Sequence, residues 1–172
     1  MIDFKTAYDR VERHVEERYG IEVNISDVID PNTGDFDGLR IQLDYTLDLE
    51  LALFVLIHLF GHTVQWNVSE AFRKLGQDQN LRKSEAELSE IYLYERDATR
   101  YSIQLMHDAG VPDLDRWASD WFAADWAYLE HFYRTGEKLD VRKLLRTGQA
   151  EPLTPLAIPD FQPQRWVSRW SY

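Results

Sequence analysis

Apolar positions change their period several times along this chain, and each change marks an element. From residue 3 to 19, Phe4, Tyr8, Val11, Val15 and Tyr19 recur every three or four residues with charges between them, and Gly20 follows; the spacing predicts an amphipathic helix. Ile21, Val23 and Ile25 then alternate with polar residues, and Leu39, Ile41, Leu43 and Tyr45 alternate again. That pattern predicts two short strands of one small sheet. The intervening DPNTGDFDG carries Asp30, Asn32, Asp35 and Asp37, but Gly34 and Asp35 break the register of a calcium loop, so a solvated turn is expected.

The stretch 48–66, DLELALFVLIHLFGHTVQW, is apolar almost all round from Leu51 to Phe60. It predicts a central helix buried on most sides, with Asp48 as its N-cap. The run Leu51 to Gly61 is interrupted by His58 and is shorter than the ~20 residues of a membrane span, so no membrane is expected. Residues 69–83 are polar and contain Gly76 and Asn80, which predicts that the helix frays into a connecting loop. Ser84 and Glu87 have the spacing of a capping box, opening a long helix to about Ala109. Its apolar stripe runs Leu88, Ile91, Glu95, Ala98, Ser102, Leu105 and Ala109, with one carboxylate among them. After Gly110 and Pro112, Asp115 is placed to cap a further helix with the stripe Trp117, Trp121, Phe122, Asp125, Tyr128, Leu129 and Phe132, closed by Gly136. Residues 149–172 are rich in proline, and Trp166 and Trp170 alternate there with Arg165 and Arg169. An extended strap docked over the core is expected; a partner-binding peptide and a nucleic-acid stacking patch are the other readings of the tryptophans.

With 172 residues and 44% apolar side chains, the chain can bury one sizeable core, so a single α+β domain over 1–172 is expected. Cysteine is absent, so a metal would have to be held by histidine and carboxylate. A net charge of −11 argues against binding nucleic acid through its phosphates. The N-terminus MIDFKTAYDR shows no basic lead before an apolar run, and a cytoplasmic location is expected.

His58 and His62 stand four apart, so on a helix both imidazoles can point at one atom. The zinc-peptidase signature H-E-x-x-H supplies a Glu after the first histidine to activate the metal-bound water; here the text is H-L-F-G-H, with Leu59 in that place. Glu95 on the buried stripe of the next long helix demands a cation, whether a metal, a protonated histidine, or the guanidinium of Arg100 or Arg73. His14 is expected at the surface; Asp125 and His131 flank their helix's stripe and could reach a metal site, but a solvated Asp at the helix edge is the expected reading.

The run YERDATRYSIQLM, residues 94–106, resembles the segment E-x-x-A-x-x-F-A-x-x-L-(L/M) of ImmA/IrrE-type metallopeptidases. Glu95, Ala98, Tyr101 and Leu105 fall on its register, with Ser102 where that family usually has Ala. The order of a first helix ending YGIEV, a strand after Gly38 and a helix carrying the histidine pair is similar too, over roughly residues 5–108. The resemblance implies a zincin-like α+β fold, mostly helical, with a small N-terminal sheet packed on the metal-site helices. It implies His58, His62 and Glu95 as ligands of zinc or another divalent metal, with Asp97 as second choice for the carboxylate. Leu59 cannot take a proton, so the expected protein is a degenerate, non-catalytic member that keeps the metal for structure or for binding a polypeptide. An active zinc hydrolase using Tyr101 or Asp97 as an unusual base and a metal-free helical interaction module are the alternatives.

Overall fold

The computed structural model describes residues 2–29, 32–78 and 80–166; Asp30, Arg169 and Trp170 lie outside them. Helix α1, Phe4–Tyr19, begins where the Asp3 carboxylate accepts from the Thr6 N–H and ends on Gly20, whose φ of 67° is a left-handed stop. It buries Tyr8, Val11 and Val15 of the expected stripe together with Ala7, while Phe4 and Tyr19 at its two ends are partly buried against the core.

Three strands follow: β1 (Glu22–Ser26), β2 (Gly34–Phe36) and β3 (Arg40–Asp44). The sheet order is β1-β3-β2, with β1 parallel to β3, Val23 opposite Ile41, and β2 antiparallel to it, Asp35 opposite Gln42. The stretch expected as a solvated turn therefore contains a strand. Two contacts explain it: Asp37 Oδ1 accepts from the Leu39 and Arg40 N–H groups and closes the hairpin, and Phe36 packs its ring 4.5 Å from that of Trp66. Ile25 and Tyr45, read as part of the alternating apolar face, are exposed, whereas Val23, Ile41 and Leu43 are buried.

The central helix α2, Leu49–Val68, is capped by Asp48 through the Leu51 N–H, as expected. By length and composition it could cross a membrane, but 72% of its most apolar window is buried inside the fold against α1, the sheet and the following helices. The region expected to fray instead forms a second helix, α3 (Glu70–Gln77). Ser69 caps it through the Phe72 N–H, and a Glu70–Lys74 ion pair at 2.8 Å spans its first turn. Helix α4, Glu85–Asp108, carries both halves of the Ser84–Glu87 capping box. After a short 3-10 turn, Pro112–Leu114, comes α5, Asp115–Thr135, and then the single turn α6, Val141–Leu144. Asp115 does not cap α5. It is the helix's first residue, and its carboxylate accepts from His107 Nε2 at 2.8 Å. The class is mixed α and β, with 59% of the described residues helical and the sheet confined to the N-terminal part.

Helices α2 and α4 cross in close contact. A Cβ on Gly61 would lie 2.2 Å from the Ala98 carbonyl oxygen, so only glycine permits the approach. Beside it, the buried Ser102 hydroxyl donates to the Ile57 carbonyl at 2.7 Å, tying the helices together.

Residues 149–166 have no regular secondary structure and lie along the helices. The buried Asp120 carboxylate on α5 accepts from the Gly148 and Ala150 N–H groups at 2.6 and 3.0 Å, and Ser119 Oγ accepts from Leu153 N–H at 2.9 Å. Farther on, Arg100 Nε donates to the Thr154 carbonyl, the Phe161 ring stacks on Tyr19, and Gln164 N–H donates to Asn67 Oδ1. Replacing Asp120 by alanine strands two partly buried donors. The expected loss is about 2–3 kcal/mol. It would be read as a lower urea midpoint at unchanged slope, with new protease cleavage between residues 146 and 156.

Candidate metal centre

His58 and His62 project from one face of α2 and Glu95 from the facing side of α4, brought together by the close crossing at Gly61. His62 Nε2 lies 3.0 Å from His58 Nε2 and 3.1 Å from Glu95 Oε2, and His58 Nε2 lies 3.5 Å from the same oxygen. Ligand atoms held about 2.0–2.1 Å from a zinc ion at tetrahedral angles stand roughly 3.3 Å apart. The observed distances bracket that value. Among the described residues, these three form the group of histidine and carboxylate atoms that can hold a metal ion.

The protonation pattern follows from neighbours. Gln65 is fully buried on the next turn of α2, and its side-chain amide donates to the Tyr94 carbonyl at 2.7 Å. Its oxygen must then be the partner of His62 Nδ1, 2.9 Å away, and an amide oxygen only accepts. So Nδ1 carries the hydrogen, and in the neutral ring Nε2 turns a bare lone pair toward Glu95 and His58. This is the tautomer a metal ligand needs, fixed by a partner behind the ring. Packing holds the rings as well: Tyr94 stacks on His62 at 4.7 Å, and Phe54 stacks on His58 at 5.6 Å.

A cavity of about 240 Å³ opens on the triad. His58, with 19% of its side chain exposed, is the more open of the two histidines, and His62 keeps only 8%. Leu59 is in the cavity wall, where the expected base would stand. Strand β2 forms another part of the wall. A Cβ on Gly34 would meet Val55 Cγ1 at 2.7 Å and Leu59 Cδ1 at 2.9 Å, so glycine lets this strand lie against α2. From α5, Asp125 lines the same cavity. Burial, and then the negative charge of Glu95, push its carboxyl up to about 8.

The other candidates fall elsewhere. Asp97 accepts from Arg96 at 3.0 Å and from Arg100 at 3.3 Å, and it lines a separate groove between α3 and α4. Tyr101 is half-buried against the core, its hydroxyl pushed up by burial and then by the charge of Asp97. Neither lines the cavity at the triad. The cations considered for Glu95 are engaged as well: Arg100 with Asp97 and the Thr154 carbonyl, Arg73 over the Trp166 ring at 3.9 Å. His131 bonds Glu137, and His14 lies beside the Tyr19 ring. Gln65 and Tyr94 escaped the sequence reading, although the three-residue step from His62 to Gln65 was the signal for the first. Comparison with protein-family models, with curated proteins and with solved structures returned no match for this chain.

Proposed function

We propose that this chain is a zincin-like metal-binding protein, a degenerate relative of ImmA/IrrE-type metallopeptidases that retains the ion and has given up the standard hydrolytic base. The observation that carries the reading is the convergence of His58 Nε2, His62 Nε2 and Glu95 Oε2 within 3.5 Å, with the His62 tautomer fixed from behind by Gln65. Without a cation or a proton between them, the His62 Nε2 lone pair and the Glu95 carboxylate oxygen repel one another in a buried place. Zinc suits two histidines and one carboxylate, three protein ligands with a fourth position open. When bound there, the ion would supply Lewis acidity toward an oxygen entering the cavity.

Leu59 supports the non-catalytic form, because an alkyl side chain in the wall can neither accept nor return a proton. A polypeptide is the proposed occupant of the cavity. In β2, Thr33 and Asp37 face β3, as shown by the Asp44 N–H to Thr33 and the Asp37 N–H to Arg40 carbonyl bonds, so Gly34 between them turns its backbone groups away from the sheet. An edge strand with the Gly34 backbone groups turned outward beside the ligands is a template for an extended chain, while the Phe36 N–H on the same edge is held by Asp35 Oδ1.

The test is the metal content of protein purified without added metal or chelator, measured by elemental analysis beside His58→Ala and Glu95→Ala. About one zinc per chain, lost in both variants, is the expected result. No metal in the wild type, even after zinc addition and dialysis, would leave a hydrogen-bonded cluster and favour the metal-free reading.

A further inference from the structure

We propose that Asp125 completes this site from the far wall of the cavity, as the hydrogen-bond acceptor for whatever group occupies the open coordination position, and that it bars anions from that position. The inference rests on the metal reading above and adds the chemical class of the ligand. Asp125 stands on α5, an element separate from the two that supply the ligands, and lines the cavity together with His58, His62 and Glu95. Its carboxylate does not belong to the group of atoms lying within 4.8 Å of one another, and it shares with the triad the lining of a cavity of about 240 Å³ that a small molecule can enter.

Three features assign it this role. The side chain at the usual acceptor position is Leu59, which has no lone pair to offer. The other carboxylate lining the cavity outside the triad, Asp35, has one oxygen taken up by the Phe36 N–H at 2.8 Å. Charge is the third. Two neutral imidazoles and Glu95 leave one positive charge on a divalent ion, which opposes the burial and the Glu95 charge that push the Asp125 carboxyl up and favours its ionised form, so that Asp125 cancels the remaining charge. A ligand that enters must then be neutral, with a lone pair for the ion and a hydrogen for Asp125, as water and an amide are. An anion would face the carboxylates of Glu95, Asp125 and Asp35 and no residual positive charge.

The test uses full-length protein loaded with zinc or with cobalt(II), azide serving as the anionic probe. In Asp125→Asn, an isosteric change, zinc affinity measured by competition with a chromogenic chelator should fall about tenfold or more. Azide affinity of the cobalt form, followed in its visible absorption, should rise about tenfold, because one repelling charge is gone. Asp125→Glu should restore both values toward wild type. Glu151→Gln removes a charge from an exposed position far along the chain and should change neither. A thermal melt of each variant confirms folding. Unchanged azide affinity in Asp125→Asn, with zinc still bound at one per chain, would overturn the role of Asp125 and leave the metal site standing. A wild type that binds no zinc would remove the metal reading itself, and this inference with it.

Discussion

Gly61→Ala should destabilise the protein by about 2–3 kcal/mol, against the helix preference of the new residue. In an exposed helix the same change is worth about 1 kcal/mol in the stabilising direction. Here the added Cβ would meet the Ala98 carbonyl oxygen at 2.2 Å, and the obstacle is backbone on a helix, which cannot swing aside. Helices α2 and α4 must move apart. Overpacking of this kind costs about 1–3 kcal/mol, and separation also stretches the bond from Ser102 Oγ to the Ile57 carbonyl, worth about 1 kcal/mol. For a chain of this size the melting temperature should fall by roughly 5–10 °C. The readout is thermal and urea denaturation side by side. Stability equal to wild type would mean that the two helices do not cross as described, and the spacing between the histidines and Glu95 would lose its structural basis.

Zinc should raise the melting temperature by about 8–16 °C when present at some thousandfold above its dissociation constant. An ion that binds only the folded chain stabilises it by about 4 kcal/mol at that excess. Each kcal/mol shifts the midpoint by about 2–4 °C in a protein of this length. The unfolded chain has little to compete with, since it has no cysteine and, apart from the His58 and His62 pair, its five histidines are dispersed along the sequence. In His62→Ala the shift should vanish, because that nitrogen is the one shared by both short contacts of the triad. Calorimetry with and without zinc decides the matter. A wild-type melt that zinc leaves in place would exclude a folded-state ion site and leave the three side chains to a hydrogen-bonded arrangement.

The candidate site was largely legible in the sequence because its geometry is periodic. His58 and His62 are one helical turn apart, and Glu95 interrupts an otherwise apolar stripe, so both features follow from the 3.6-residue repeat alone. The crossing that joins them was not legible. Gly61 and Ser102 marked small residues on each helix, but the sequence does not say that Gly61 faces Ala98. Strand β2 was hidden for another reason. With three residues, one of them glycine, it is too short to show an alternation, and its pairing comes from the Asp37 turn and from Phe36 finding Trp66. Helix α3 was masked by Gly76, which weakens the local helical pattern, while the Ser69 cap that starts it lay at the edge of the preceding apolar run. Asp125 could be placed beside its helix's stripe, but its opening onto the same cavity as the triad depends on how α5 lies against α4, which is tertiary information.

Gln65, held between His62 and the Tyr94 carbonyl, has a consequence for what the protein can report to its surroundings. The donor atoms are already at ligand spacing, and the ring that matters most is locked by a buried amide, so an arriving ion has almost nothing to rearrange. A ligand moves a conformational equilibrium only by as much as it prefers one state over another, and a site built in advance offers it no second state. On the proposed metal reading, loading would therefore be silent at the protein surface: a partner that reads shape from outside would meet the same molecule with or without the ion. On the proposed reading only a molecule that enters the cavity and touches the ion could tell the two apart, which would make this centre a tool for handling its occupant and a poor gauge of metal supply.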